Sequence, residues 1–233
     1  MKFYVTQHAH TWAGKEKTIP RKFTGVIEGL KLILTKPYLI GILVLSTVYE
    51  IISFFFEYQM NAAAHNAFDS LEKVTAFLGI YGVTTNAVSL LLALFGTSFL
   101  IRRLGLTACL VFYPICITGL IFYACVNPTT WAFLITVVGI KALSYTLNDP
   151  CKEIMYIPTS RDIRFKAKSW IDLLGNKSAK ATGAFIASFF GSASILLLYG
   201  SIISLGIIAL WIPTALFVGR INNKLVTKNQ TIE

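Results

Sequence analysis

The stretch LGLTACLVFYPICITGLIFYA, Leu104–Ala124, contains no charged side chain and decides the fold class. Its length matches the ~20 residues with which an α-helix crosses the hydrocarbon core of a bilayer. A backbone in lipid finds no water to bond, so a long apolar run without polar alternation must be helical. Similar windows recur along the chain, and together they predict six membrane-spanning helices: Pro37–Glu57, Tyr81–Ile101, Leu104–Ala124, Trp131–Leu147, Ala181–Tyr199 and Ile202–Gly219.

The composition of the whole chain agrees with a membrane protein. Hydrophobic residues make up 55% of the sequence and charged residues only 14%, against about 25% charged residues in soluble domains. We therefore predict an all-α integral membrane protein in which residues 37–219 form a six-helix bundle. Residues 1–36 are predicted to be a cytoplasmic tail that ends in a short interfacial helix, and residues 220–233 a second cytoplasmic tail.

Basic residues give the orientation of the bundle, because cytoplasmic loops collect Lys and Arg. Of the 21 Lys and Arg residues, all but Lys73 and Lys141 lie before the first predicted span, after the last one, or in the loops between spans two and three and between spans four and five. Both termini are therefore predicted to be cytoplasmic. The same rule accounts for the net charge of +10, so the charge does not indicate a nucleic-acid partner.

The sequence shows no pattern for catalysis or for a bound metal. The four cysteines have no paired spacing and are predicted to be buried free thiols. His8 and His10 have no Cys or carboxylate companions at ligand spacing. No nucleophile elbow, phosphate loop or acidic metal-binding repeat is found in the sequence. We predict no catalytic residue, no metal, no cofactor and a protein that is not an enzyme.

Three ionisable residues fall inside predicted spans: Glu50, Glu57 and Lys141. The two glutamates are two helical turns apart and share one face of the first span. A charge at such depth costs at least ~2.5 kcal/mol unless it faces a cavity or a partner. These residues either line a polar pathway or have a structural role, in which Glu57 marks the outer end of its helix and Lys141 snorkels or neutralises a glutamate.

The stretch Asp149–Gly183, DPCKEIMYIPTSRDIRFKAKSWIDLLGNKSAKATG, includes the loop between spans four and five. Apolar residues recur at helical spacing near residues 160–174 and predict an amphipathic cytoplasmic helix. Such a helix is usually a connector that faces lipid headgroups, although its cations could also attract an anionic substrate. Small residues then recur every four positions and indicate close packing against a neighbouring helix: Ala179, Gly183, Ala187 and Gly191.

Three segments, NDPCKEIMYIP at 148–158, FKAKSWID at 165–172 and GNKSAKATG at 175–183, resemble the C-terminal half of the ATP:ADP antiporters of plastids and obligate intracellular bacteria, the Tlc type of nucleotide transporter. KPYL at Lys36–Leu39 supports the resemblance, which extends from about Glu28 to about Arg220. It implies one six-helix half of a twelve-helix transporter of the major-facilitator type. Such a transporter exchanges ATP for ADP, or carries related nucleotides, by alternating access around a central basic cavity.

The resemblance also implies which residues act in transport. Two positions depart from the family pattern, because Asn61 and Ser144 stand where lysines are expected. Each departure removes one potential phosphate partner and weakens the expectation of ATP/ADP exchange. The candidate substrate-binding or pathway residues are Glu57, Lys141, Lys152, Glu153, Lys166, Lys168 and Asp172.

The expected function is nucleotide transport across a bacterial inner membrane or a plastid-type envelope, with ATP, ADP or a related nucleotide as substrate and the lipid bilayer as surroundings. A central site between two bundles cannot be built from one bundle. The chain of 233 residues is therefore expected to be a fragment, a split-gene half that pairs with an N-terminal half, or a homodimer. The alternative, favoured by Asn61 and Ser144, is a membrane interaction or assembly module that keeps the fold without transporting.

Overall fold

The computed structural model describes residues 26–189, 193–228 and 230–232. The predicted tail residues 1–25, with His8 and His10, lie outside the described residues. A π-helical turn, Ser144–Asn148, joins the sixth helix to the seventh. The helices in chain order are α1 (Val26–Thr35), α2 (Pro37–Ala67), α3 (Leu71–Phe95), α4 (Thr97–Leu104), α5 (Leu106–Val126), α6 (Thr130–Leu143), α7 (Asp149–Met155), α8 (Arg161–Phe189) and α9 (Ala193–Thr227).

The described part of the chain is helical and contains five stretches that are long and apolar enough to cross a membrane. These stretches correspond to five of the six predicted spans. The predicted fifth span, Ala181–Tyr199, includes residues 190–192, which lie outside the described residues. The five stretches are Pro37–Ala67, Leu71–Phe95, Leu106–Val126, Thr130–Met155 and Ile203–Thr227.

The chemistry of single residues explains where the helices begin. Pro37 opens α2, because its missing N–H costs no hydrogen bond in a first turn. Ser70 caps α3 and Thr129 caps α6, each by accepting from the backbone N–H three residues further on, at 3.4 Å and 3.2 Å respectively. Gly105 has a φ of 78°, which glycine adopts without strain, and it turns the chain from α4 into α5. The second span therefore begins at its Ser70 cap, well before the predicted Tyr81.

Helix α2 is the centre of the bundle and packs against α6, α8 and α9. Helix α5 also packs against α6 and α9, so α2, α6, α5 and α9 close into a ring. Helix α3 lies on the outside of α6, and α1 packs against α8. Trp211 of α9 is fully buried in the ring and meets Tyr113 of α5 edge to face, with ring centroids 5.2 Å apart. Because α2 is surrounded in this way, its polar side chains meet groups from several neighbouring helices.

Small side chains let α8 approach α2 closely, as their spacing predicts. A Cβ on Gly183 would lie 2.3 Å from Cδ1 of Phe54, which is closer than real atoms approach. Ala179, one turn earlier, is fully buried. Of the other two members of the predicted stripe, Ala187 has no described side chain and Gly191 lies outside the described residues. The described part of the stripe is thus a helix-packing surface.

The predicted amphipathic helix near residues 160–174 is the first part of α8, which continues without a break to Phe189. Its apolar side is buried at Ile163, Ala167 and Ile171. This side packs against protein and not against lipid headgroups, because α1 and α2 cover α8. The apolar side of the connector is therefore part of the bundle, and a headgroup-facing position of its polar side stays a prediction.

The predicted C-terminal tail, residues 220–233, is only partly a tail. Helix α9 continues to Thr227. The segment that follows returns to the connection between α7 and α8, where the N–H of Ile232 donates to the carbonyl of Pro158 at 3.0 Å. The N–H of Ser160 in turn donates to the carbonyl of Ile232 at 3.1 Å. Two backbone hydrogen bonds to Ile232 therefore hold the connection.

Candidate functional site

A polar cleft of about 230 Å³ opens between α2, the end of α6 and α8. On α2, residues at steps of three, four and seven point the same way, and this explains how Glu50, Ser53 and Glu57 share the cleft. Two stretches, Pro37–Ala67 and Thr130–Met155, supply most of its lining and are long and apolar enough to span a membrane. Its lining combines charged, aromatic and hydroxyl side chains: Tyr49, Glu50, Ser53, Phe54, Glu57, Lys141, Tyr145 and Lys180.

Glu57 and Lys141 form an ion pair in this cleft. Nζ of Lys141 lies 3.0 Å from Oε1 of Glu57, and the two side chains are 23% and 39% exposed, respectively. Tyr81 of α3 completes the group, since its hydroxyl donates to Oε1 of Glu57 at 3.5 Å. The Lys141 ammonium also lies 5.4 Å from the centroid of the Tyr81 ring. The pair is held by three helices yet remains open to the cleft.

Glu50 lies two turns before Glu57 on α2 and interacts electrostatically with cations from three helices. These cations are Lys141 of α6, Lys152 of α7 and Lys180 of α8. Asp149, at the start of α7, is an acidic neighbour of Glu50. Lys180 was not among the predicted site residues, because only the packing of α8 on α2 brings it to the cleft.

The other predicted site residues lie outside the lining of the cleft. Lys166 pairs with Glu28 of α1 at 3.1 Å. Lys168 pairs with Glu153 of α7, and its ammonium lies 5.9 Å from the centroid of the Tyr156 ring. Burial raises the pKa of the Tyr156 phenol well above its usual range, so the ring stays neutral beside this pair.

Lys152 does not line the cleft but interacts electrostatically with Glu50, which does. Asp172 is an exposed residue of α8. Of the seven predicted residues, the structure therefore brings Glu57 and Lys141 into the cleft and Lys152 next to it. The rest connect α8 to α1 and α7 or face outward.

The two positions at which the chain differs from the family pattern, Asn61 and Ser144, both lie near the ion pair. The Asn61 side chain donates to the backbone carbonyl of Glu57 at 2.9 Å. Ser144 is 2% exposed, accepts from Nδ2 of Asn148 at 3.4 Å and lies close to the hydroxyl of Tyr49. Both side chains are engaged locally, and neither supplies a cation to the cleft.

The structure also describes the cysteines and the groups that could hold a metal. All four cysteines are free thiols. Cys109 and Cys151 are buried, as predicted, whereas Cys116 is half-buried and Cys125 is exposed, so the prediction of burial is wrong for these two. In the ranges 26–189, 193–228 and 230–232, no group of three or more His, Cys, Asp or Glu residues is arranged to hold a metal ion. The described chemistry of the cleft is therefore that of ion pairs, hydroxyls and aromatic rings.

Comparison with known proteins connects this chain to a family. The model of the TLC ATP/ADP transporter matches residues 2–221. The chain is 27% identical over 231 residues to "ADP,ATP carrier protein 2, chloroplastic" of Arabidopsis thaliana, an alignment that covers 88% of this chain and 37% of the relative. It is 29% identical over 189 residues to "ADP,ATP carrier protein 4" of Rickettsia bellii (strain RML369-C), covering 72% of this chain and 36% of the relative.

A third relative is "ADP,ATP carrier protein 1" of Chlamydia pneumoniae, which is 29% identical over 203 residues, or 77% of this chain and 39% of the relative. The chain spans less than half the length of these three relatives. No solved structure gives a significant match to the chain. With a family model that matches nearly its whole length and relatives that are carriers, the chain belongs to the TLC ATP/ADP transporter family.

Proposed function

We propose that this protein carries nucleotides across a membrane as one six-helix half of an ATP:ADP antiporter-like transporter with major-facilitator architecture. The observation that carries the proposal is the polar cleft, in which the Glu57–Lys141 pair lies within helices that are long and apolar enough to span a membrane. The carrier names of the relatives support the same function. Antiport moves its substrate unchanged, so no catalytic residue is proposed.

The exposure of the ion pair supports a pathway more than a purely structural role. A charge inside a membrane helix is expensive, and it persists where it faces a cavity or a partner. A structural pair would be expected to be fully covered, whereas Glu57 is 39% exposed toward the cleft. Because the pair is held by Tyr81 on one side and open on the other, its groups can rearrange around a polar substrate.

We further propose that a second bundle covers the cleft. Tyr145 is 52% exposed and lies beside the charged groups, an arrangement that lipid would penalise. The relatives are more than twice as long as the matched region, which leaves room for another bundle in a complete transporter. The second bundle is an N-terminal half or a second copy of this chain. We also propose that the chain has a sixth membrane span and that both of its termini are cytoplasmic.

We propose that the remaining candidate residues lie at the cytoplasmic end of this transporter. The Lys166–Glu28 and Lys168–Glu153 pairs connect α8 to α1 and to α7. We propose that they hold α8 while the two bundles rock, and that Asp172 contributes to the same charged face. Exposed pairs of this kind contribute little to stability, about 0–1 kcal/mol each, so they can break and re-form during transport. A bacterial inner membrane or a plastid-type envelope is the proposed location.

The test measures uptake of radiolabelled ATP into intact cells. One set of cells expresses this chain, a second expresses the part of the Chlamydia pneumoniae carrier that the chain does not match, and a third expresses both. Uptake above background is expected with both halves, or with this chain alone if it forms a homodimer. Lys73→Gln is the matched control, because Lys73 is an exposed lysine at the start of α3.

Absence of uptake in every combination, with both proteins present in the membrane, contradicts the proposal. Recovery of a stable protein partner under those conditions would favour the assembly module instead.

A further inference from the structure

We propose that the cleft binds the nucleoside end of the nucleotide and not its phosphates, with the ring of Tyr145 stacking on the base. This inference rests on the proposed function and deepens it, since it assigns one part of the substrate to this bundle. The phosphates are then met by cations outside the lining of the cleft, on the bundle that covers it.

The charge balance of the cleft is the first argument. Three cations, Lys141, Lys152 and Lys180, lie around Glu50, and the nearby acids are Glu50 itself, Glu57 and Asp149. The formal charges of these six residues cancel. A polyphosphate would therefore find no surplus of positive charge among the described groups at this site.

The Glu57–Lys141 ion pair also disfavours phosphate binding in the cleft. Lys141 already contacts Glu57 at 3.0 Å. A phosphate that displaced this carboxylate would leave two anions side by side in a partly buried cleft, and their repulsion would oppose binding. Asn61 and Ser144, which bond locally, add no compensating cation. Binding a phosphate at Lys141 would thus require the Glu57–Lys141 pair to break.

The aromatic lining is the second argument. Tyr49 and Phe54 are occupied in packing, because their rings lie 6.2 Å from Tyr113 and 6.3 Å from Tyr58, respectively. Tyr145 is 52% exposed and borders the cleft. Its ring is therefore the aromatic surface of the lining on which a base can stack.

The position of Tyr145 in the chain supports the same role. It lies in the π-helical turn Ser144–Asn148, directly after the helix that carries Lys141. Single π-helical turns inside α-helices occur frequently at functional sites. The carboxylates of Glu50 and Glu57 and the Ser53 hydroxyl complete the site, since they accept hydrogen bonds of the kind that ribose hydroxyls and base amino groups donate.

The experiment uses the purified full chain in detergent and measures its thermal shift with adenosine, ADP or inorganic pyrophosphate at equal concentration. Adenosine and ADP are expected to raise Tm by similar amounts, and pyrophosphate by less. Tyr145→Ala is expected to weaken adenosine binding about 5- to 150-fold, the equivalent of ~1–3 kcal/mol for one stacked base. Tyr145→Phe keeps the ring and should retain binding.

Tyr123→Ala is the matched control, because Tyr123 is 40% exposed on α5 and does not line the cleft. Protection by pyrophosphate equal to that by ADP, without protection by adenosine, overturns the inference. It is also overturned if none of the three ligands shifts Tm, or if Tyr145→Ala binds adenosine normally. Failure of ATP uptake while adenosine still binds through Tyr145 counts against the proposed transport alone.

Discussion

The Glu57–Lys141 pair is expected to stabilise the bundle as a coupled unit. At the observed separation of 3.0 Å, Coulomb's law gives ~1.4 kcal/mol in bulk water and ~5.5 kcal/mol at an effective dielectric constant of ~20. Desolvation offsets part of this gain, and Glu57 is 39% exposed. The coupling energy should therefore be about 1–2 kcal/mol, between the values for exposed and buried pairs.

A double-mutant cycle with Glu57→Gln and Lys141→Gln measures this coupling. Each single variant is expected to lower the free energy of unfolding in detergent by about 1–2 kcal/mol, because it leaves the other charge partly buried and without its partner. The double variant should lose hardly more than the worse single variant. Lys73→Gln, at an exposed position, should change stability by less than ~0.5 kcal/mol. Additivity of the two single effects to within ~0.3 kcal/mol would refute the reasoning, because uncoupled sites behave in that way.

Two further substitutions test the packing of the bundle through the free energy of unfolding. In Gly183→Ala the new Cβ meets Cδ1 of Phe54 at 2.3 Å, so an overpacking cost of ~1–3 kcal/mol should outweigh a helix-propensity gain of ~1 kcal/mol. Gly82→Ala is the control, because a Cβ at Gly82 would have no atom within 4 Å, and it should leave stability unchanged or raise it. Equal effects of Gly183→Ala and Gly82→Ala would contradict the close approach of α8 to α2. Tyr38→Phe removes the hydroxyl that accepts from the buried Asn222 amide at 2.7 Å. The change should lower the free energy of unfolding by ~1–3 kcal/mol, and unchanged stability would contradict the importance of this hydrogen bond.

The spans could be predicted because a long apolar run has few structural solutions. Leu104–Ala124 coincides with α5, Leu106–Val126, to within two residues at either end. The boundary of the second span could not be predicted from hydropathy alone. Ser70 caps α3 and moves its beginning into the polar sequence around Lys73.

The candidate site was predictable only in part. Glu57 and Lys141 were found because intramembrane charges are rare and costly. Lys180 resembles a loop cation in the sequence, and it reaches the cleft only because small residues let α8 pack on α2. Tyr145 and Tyr81 carry no signal of their own, since a π-helical turn and a contact from α3 arise from tertiary structure.

The most direct test of the central claim, that nucleotides pass through the cleft, is exchange in proteoliposomes that contain this chain and a complementary half. The vesicles are loaded with radiolabelled ATP, and efflux is measured after ADP is added outside. We expect ADP-dependent efflux that Lys73→Gln preserves. Lys141→Gln should slow the efflux at least tenfold, a barrier increase of ~1.4 kcal/mol, because it leaves an unpaired Glu57 carboxylate in the cleft. Efflux through Lys141→Gln at the unaltered rate would contradict a nucleotide pathway through the cleft.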